Sequence, residues 1–211
     1  RKGLLTTKST SIKPRIQRFA QEYPEYSFEE AIDHIKPDVL IGATGVAGTF
    51  NEAIIRKMTQ ANQRPVIIAL SNPTSHTECT AEQAYQWSGG QVIFASGSPF
   101  GPVCYAGEWF RPAQGNNAYI YPGVGLGVYA SSARLVTQRM FLKAAEILAQ
   151  SVTDQELNAG AIYPSLTRVR AVSHAIAVTI CRVAIQEGLV KTKLPEDLDS
   201  YVKSLMYDPS Y

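Results

Sequence analysis

Cysteine is scarce: the 211 residues hold three, Cys79, Cys104 and Cys181, far apart and without C-x-x-C spacing. Neither a disulfide framework nor a zinc site is indicated, and a reducing compartment fits best. A surplus of charge is also missing, since 20 Lys and Arg stand against 18 Asp and Glu for a formal +2. Without a basic run to follow a phosphate backbone, nucleic acid is not an expected partner. No apolar stretch approaches the roughly 20 residues of a membrane span. The opening carries basic residues with no apolar region behind them, so neither membrane nor signal peptide is expected. A soluble protein of the cytoplasm, the mitochondrion or another organelle fits these absences. The chain also opens without Met, and Gly3-Leu4-Leu5 after Arg1 reads like the interior of a folded unit, as in a piece cut from a longer protein.

What is present alternates. Ser27-Phe28-Glu29-Glu30 is a capping box that opens a helix to about Ile35, and Lys36-Pro37 stops it. Asp38–Ile41 then reads as a short buried strand. After a glycine-bearing loop, Thr49-Phe50-Asn51-Glu52 reads as a second capping box, with a helix through Met58. The unit repeats with strand Pro65–Leu70 and a helix capped by Thr80-Ala81-Glu82-Gln83, and a third strand spans Gln91–Ala95. A long Gly-, Pro- and aromatic-rich loop follows to Asn117. Beyond Gly123 the pattern is helical: 124–135, 140–151, a capping box at Thr153–Glu156, an apolar stripe of Val169, Val172, Ile176, Ile180 and Val183, and a last amphipathic stretch over 196–206. The expectation is an α/β fold, a parallel sheet with crossover helices over residues 1–135, followed by a helical segment over 136–211.

In a parallel sheet every strand ends at the same edge, so Gly42–Gly48, Ser71-Asn72 and Ser96–Ser98 are expected to open on one crevice. The spacing Gly42-x-x-Gly45-x-x-Gly48 lets a backbone approach a ligand, with free N–H groups at the following helix start; a packing turn is the competing reading. Asn72 precedes a proline, which biases it toward extended backbone and aims its amide off the strand end, or else it closes an Asx turn. Asn116-Asn117 poses the same choice. Acids are sparse in these loops: from Leu40 to Ser75 there is Glu52 alone, and none from Trp109 to Ala145. A divalent metal, which wants carboxylate oxygens, therefore finds no ligands there. His34, His76 and His174 read as structural residues, His76 as a loop residue without a partner.

In order, Ile41-Gly42-Ala43-Thr44-Gly45-Val46-Ala47-Gly48, Ala69-Leu70-Ser71-Asn72-Pro73-Thr74-Ser75, Phe94-Ala95-Ser96-Gly97-Ser98-Pro99-Phe100-Gly101-Pro102-Val103 and Gln114-Gly115-Asn116-Asn117 resemble the malic enzymes. The likeness continues through Tyr121–Val128, Tyr163-Pro164 and Met206-Tyr207. The resemblance implies a Rossmann-like NAD- or NADP-binding domain acting in oxidation of L-malate to pyruvate and carbon dioxide, within a homo-oligomeric full-length enzyme. It implies cofactor contacts at Gly42, Ala43, Thr44, Gly45, Ser71, Asn72 and Asn116, and substrate contacts at Asn72 and Asn117. The family's phosphate-binding glycine loop, its tyrosine and lysine acid–base pair and its Mg or Mn carboxylates would lie upstream, so no catalytic or metal residue is expected in this chain. Two other readings are compatible with the residues alone, another Rossmann-class hydroxy- or amino-acid dehydrogenase and a non-catalytic nucleotide-binding module. NAD and NADP are not separable here, because Lys13, Arg15 and Arg18 suit a phosphate or a solvated face equally.

Overall fold

The computed structural model describes residues 3–9 and 12–207 and divides into two compact units, Arg1–Gln114 and Gly115–Tyr211. Arg1 and Lys2, part of the opening motif, lie outside the described residues.

The first unit begins with a short helix α1 (Pro14–Gln17), where Lys13, Arg15 and Arg18 are all exposed. Helix α2 (Phe28–Ile35) has the expected capping box, Ser27 and Glu30 each satisfying the other's backbone N–H, and ends at a left-handed Lys36 before Pro37. Strand β1 (Val39–Gly42), helix α3 (Glu52–Ala61), strand β2 (Val66–Ala69), helix α4 (Ala81–Ser88) and strand β3 (Ile93–Ser96) follow. The cap of α3 differs from the expected box. Asn51 is the N-cap, its side chain accepting from Ile54 N at 3.0 Å, while Thr49 donates to Val46 O at 2.6 Å inside the preceding loop. Asn caps better than Thr, and Phe50 N is already committed to Glu78 O.

The region read as one long loop contains three strands, β4 (Val103–Tyr105), β5 (Glu108–Phe110) and β6 (Ala113–Gln114). The first two form an antiparallel hairpin turned by Ala106 and Gly107, both at positive φ as a two-residue hairpin turn requires. The third joins the main sheet, whose order is β1-β2-β3-β6, parallel throughout. Its buried side carries Ile67 and Phe94, packed with Ile54, Ile55 and Met58 of α3 and Tyr85 of α4. Each of these side chains contributes about 1.5–3 kcal/mol by leaving water. Phe110 stacks on Tyr85 at 4.5 Å and ties the hairpin to that core.

The second unit is helical: α5 (Tyr121–Ser131), α6 (Gln138–Gln150), α7 (Asp154–Asn158), α8 (Val169–Gln186) and α9 (Leu198–Ser204). The stripe on α8 faces α5 and α6, with Ile176 and Ile180 fully buried and Val169 half-buried. Gly123 and Gly127 let α5 approach closely: a Cβ on Gly127 would stand 2.6 Å from Ile180 Cβ and 2.8 Å from Ala177 O. Counted with the turn before it, Leu166–Gln186 is long and apolar enough to cross a membrane, contrary to the expectation from composition. Its apolar residues are spent on helix packing instead, as the burial of that stripe shows. The compact units divide at Gln114–Gly115, with α5 packed on α8 inside the second.

Candidate functional site

Successive parallel strands joined by helical crossovers bring the carboxyl ends of β1, β2 and β3 to one edge of the sheet. Hydrogen bonds link the loops that leave them. Gly45 N donates to Ser71 Oγ at 2.9 Å, Ser98 Oγ donates to Asn72 Oδ1 at 2.7 Å, and Gln114 Nε2 donates to Gly97 O at 3.1 Å from the end of β6. Gly42, Ala43, Thr44, Gly45, Ser71 and Asn72, read separately from the sequence, thus share this edge. Gly45 and Gly48 hold positive φ angles of 67° and 71° that other residues rarely adopt.

At the centre of these loops lies a residue the sequence reading passed over. Glu78 is fully buried. Its Oε1 accepts from Thr44 N and Thr44 Oγ1, each at 2.8 Å, and from Ser71 Oγ. Its Oε2 accepts from Ser71 N at 3.2 Å. Burial opposes its charge, yet the hydrogen bonds from Ser71 and Thr44 outweigh burial and hold the carboxyl below its ordinary value. Gly42 makes room for it, since a Cβ there would meet Glu78 Cγ at 2.6 Å and Phe50 Cζ at 2.7 Å. The crevice is therefore not free of ionisable groups; the sparse-acid stretch ends at Ser75, three residues short of Glu78. A lone acid between small polar residues, in the segment joining a strand end to a capped helix, is the signal that could have found it.

The glycine loop is correspondingly less open than its spacing implies. Besides Thr44 N and Gly45 N, Val46 N donates to Thr44 Oγ1 at 3.1 Å and Gly48 N to Thr77 O at 3.2 Å. The expected free N–H groups at the start of α3 include Ile54 N, which Asn51 takes. His76, expected to lack a partner, stands with Nδ1 3.1 Å from Gly45 O.

The two asparagine readings separate. Asn72 is exposed and makes no turn to its own backbone two residues on. Its oxygen is held by Ser98, its Nδ2 has a long 3.4 Å contact to Leu70 O, and Gly97 leaves the space, since a Cβ there would lie 2.7 Å from that nitrogen. Most of the donor capacity of the amide is thus available to a ligand. Asn116, in the second unit, does close a local turn, its Oδ1 accepting from Ala118 N at 2.9 Å. Asn117 is exposed at the start of a single 3-10 turn, Asn117–Tyr119.

A parallel sheet with helical crossovers and ligand-side loops gathered at one edge defines a Rossmann-like α/β protein. The sequence profile of the family described as malic enzyme, NAD binding domain, matches residues 1–185. Similar curated proteins include NADP-dependent malic enzymes of Dictyostelium discoideum (44% identical over all of this chain and 39% of that protein), of Zea mays chloroplasts (47%, all of this chain and 34% of that protein) and of Mus musculus mitochondria (44%, all of this chain and 35% of that protein). Among solved structures, malic enzyme from Entamoeba histolytica superposes with a TM-score of 0.73 at 19% identity over 95% of this chain and 39% of that one. The enzyme from Pyrococcus horikoshii gives 0.61 at 24% over 84% of this chain and 36% of that one; these two likenesses show the fold. The chain belongs to the malic enzyme NAD-binding domain family, and it spans about a third to two-fifths of the length of these curated relatives.

Proposed function

We propose that the protein carrying this chain is a homo-oligomeric malic enzyme that oxidises and decarboxylates L-malate to pyruvate and carbon dioxide, and that this chain supplies part of its NADP or NAD site. The observation that carries the reading is similarity over the whole of this chain to NADP-dependent malic enzymes together with the loops gathered at one sheet edge. The relatives' names favour NADP over NAD. When bound, the nicotinamide accepts the hydride.

The residues present fit the nicotinamide end of the cofactor, the end away from its phosphates. Thr44, Gly45 and Ser71 form a ledge of backbone and hydroxyl groups, Asn72 offers an oriented amide, and Ala43, Gly42 and Asn116 complete the cofactor-lining set. Substrate contacts in the whole protein are assigned, on the family resemblance, to Asn72 and Asn117. Neutral amides suit an anionic hydroxy acid, because they can bond its oxygens without adding a charge that would repel it.

The residues present do not fit a metal: among the described residues no three His, Cys, Asp or Glu side chains gather where an ion could be held. Magnesium or manganese, like the acid–base pair, would be held by parts of the protein beyond this chain. The test is a steady-state assay of the purified full-length protein with L-malate, NADP or NAD, and Mg²⁺ or Mn²⁺. Malate-dependent formation of reduced nicotinamide and pyruvate is expected. Reduction with a different hydroxy or amino acid and none with malate would replace the reading with another dehydrogenase.

A further inference from the structure

We propose that Glu78 is a positioning residue for the nicotinamide end of the cofactor, clamping the loops after β1 and β2 into one ledge and keeping that ledge unfit for a phosphate. The inference rests on the reading of the chain as part of a dinucleotide-dependent enzyme.

The clamp is built from both sides of the residue. The carboxylate gathers four donors, two from Thr44 and two from Ser71. The backbone of the same segment takes the far end of the glycine loop, with Phe50 N on Glu78 O and Gly48 N on Thr77 O. Ser71 passes the constraint on by accepting from Gly45 N. Because Ser71 directly precedes Asn72, the amide proposed to face the ligand is fixed by the same carboxylate.

No cation compensates it, for none of the ion pairs among the described residues includes Glu78. An unpaired buried charge is an expensive way to hold a loop, and neutral side chains would do so at less cost. The charge has a use if the ligand against the ledge is neutral or cationic. Two amides that a glycine loop could offer a phosphate, Thr44 N and Gly45 N, are withdrawn to Glu78 and Ser71, and the negative potential behind them disfavours an anion further. An oxidised nicotinamide ring, which carries a positive charge, is the part of the dinucleotide such a ledge accepts.

The experiment uses the full-length protein and two probes, NADP and 2′-phospho-ADP-ribose, which has the same phosphates and no nicotinamide. Glu78→Gln preserves size but offers donors where Glu78 only accepts. It is expected to weaken equilibrium binding of NADP by roughly 10- to 100-fold, and that of 2′-phospho-ADP-ribose by less than about 3-fold. KM for NADP rises in parallel. Ser71→Ala, which removes one donor and keeps the charge, is expected to show the same selectivity at roughly 3- to 10-fold, and it decides the question if Glu78→Gln does not fold. Equal weakening of both probes overturns the assignment to the nicotinamide end, as does unchanged NADP binding alongside a lowered Tm. If the wild-type protein binds neither probe, the reading of the whole protein fails with it, and that result is distinct from a wild type that binds and a variant that binds as well.

Discussion

Asn72 shows how a side chain that looks like turn chemistry is held by a distant partner instead. Its oxygen is occupied by a serine 26 positions away, so Asn72→Ala removes no turn. In the full-length protein it is expected to lower kcat/KM for malate by roughly 10- to 1,000-fold, on the order of 1.5–4 kcal/mol for a hydrogen bond in a water-poor site. Thermal unfolding is expected to shift little. Steady-state kinetics beside a melting curve decides it: intact kinetics with lost stability would return Asn72 to a structural role. Asn72→Asp keeps the size and sets a negative charge toward an anionic substrate, so KM for malate is expected to rise far more than KM for cofactor. The thiols make a separate case. Burial pushes Cys79 up to about 12 and Cys181 up to about 11, whereas Cys104 is exposed. At mildly alkaline pH the native chain is expected to take up one alkylating label, at Cys104, and all three after unfolding, by intact-mass measurement.

Local signals placed three helix starts, because a cap needs only residues three apart. Ser27, Thr80 and Thr153 accept the backbone bonds their sequence patterns imply. Thr80→Ala is expected to cost about 1 kcal/mol in denaturant unfolding, the usual worth of an N-cap. The hairpin of β4 and β5 escaped notice because each strand has three residues and Ala106-Gly107 is not the usual Asn-Gly or Asp-Gly signal. Strand β6 was hidden for another reason: two residues carry no period, and only their pairing with Ala95 and Ser96 of β3 makes them a strand. On α5 the glycines that look like helix breakers are the contact surface. Gly127→Ala is expected to destabilise the helical unit by about 1–3 kcal/mol, despite Ala's better helix propensity, because its methyl meets Ile180 and a backbone oxygen. A gain in stability on chemical unfolding would show that α5 and α8 can separate freely.

For the molecule as a whole, the consequential feature is the edge of the main sheet. Strand β1 stands at the end of the order β1-β2-β3-β6, with Val39 and Ile41 46% and 61% exposed. An apolar edge strand with unpaired backbone groups is a template for association. Produced alone, the 211-residue chain is expected to self-associate in sedimentation or light scattering, and Ile41→Lys to reduce that association. It is also expected not to reduce NADP with malate, since the described residues hold no metal site and no acid–base pair is proposed among them. Turnover by the isolated chain would contradict the division of labour proposed for the full-length protein.

The chain order of strands, glycine loops and caps already pointed to a parallel sheet, since short apolar runs alternating with amphipathic helices pack most readily that way; that β1 would be an exposed edge rather than a buried strand was not in it. It also dictated that Gly42, Ser71 and Asn72 meet at one edge, because parallel strands end together. Which of those groups remain open to a ligand was decided by contacts between segments distant in the chain. Thr44 N and Ser71 Oγ turn inward because Glu78 reaches them, across 34 and 7 positions. Asn72 turns outward because Ser98 holds its oxygen and Gly97 leaves it space. Hydrogen-bond competition of this kind depends on angstrom distances that spacing along a chain does not contain, so a loop that reads as an open cradle folds into a closed one around a buried carboxylate.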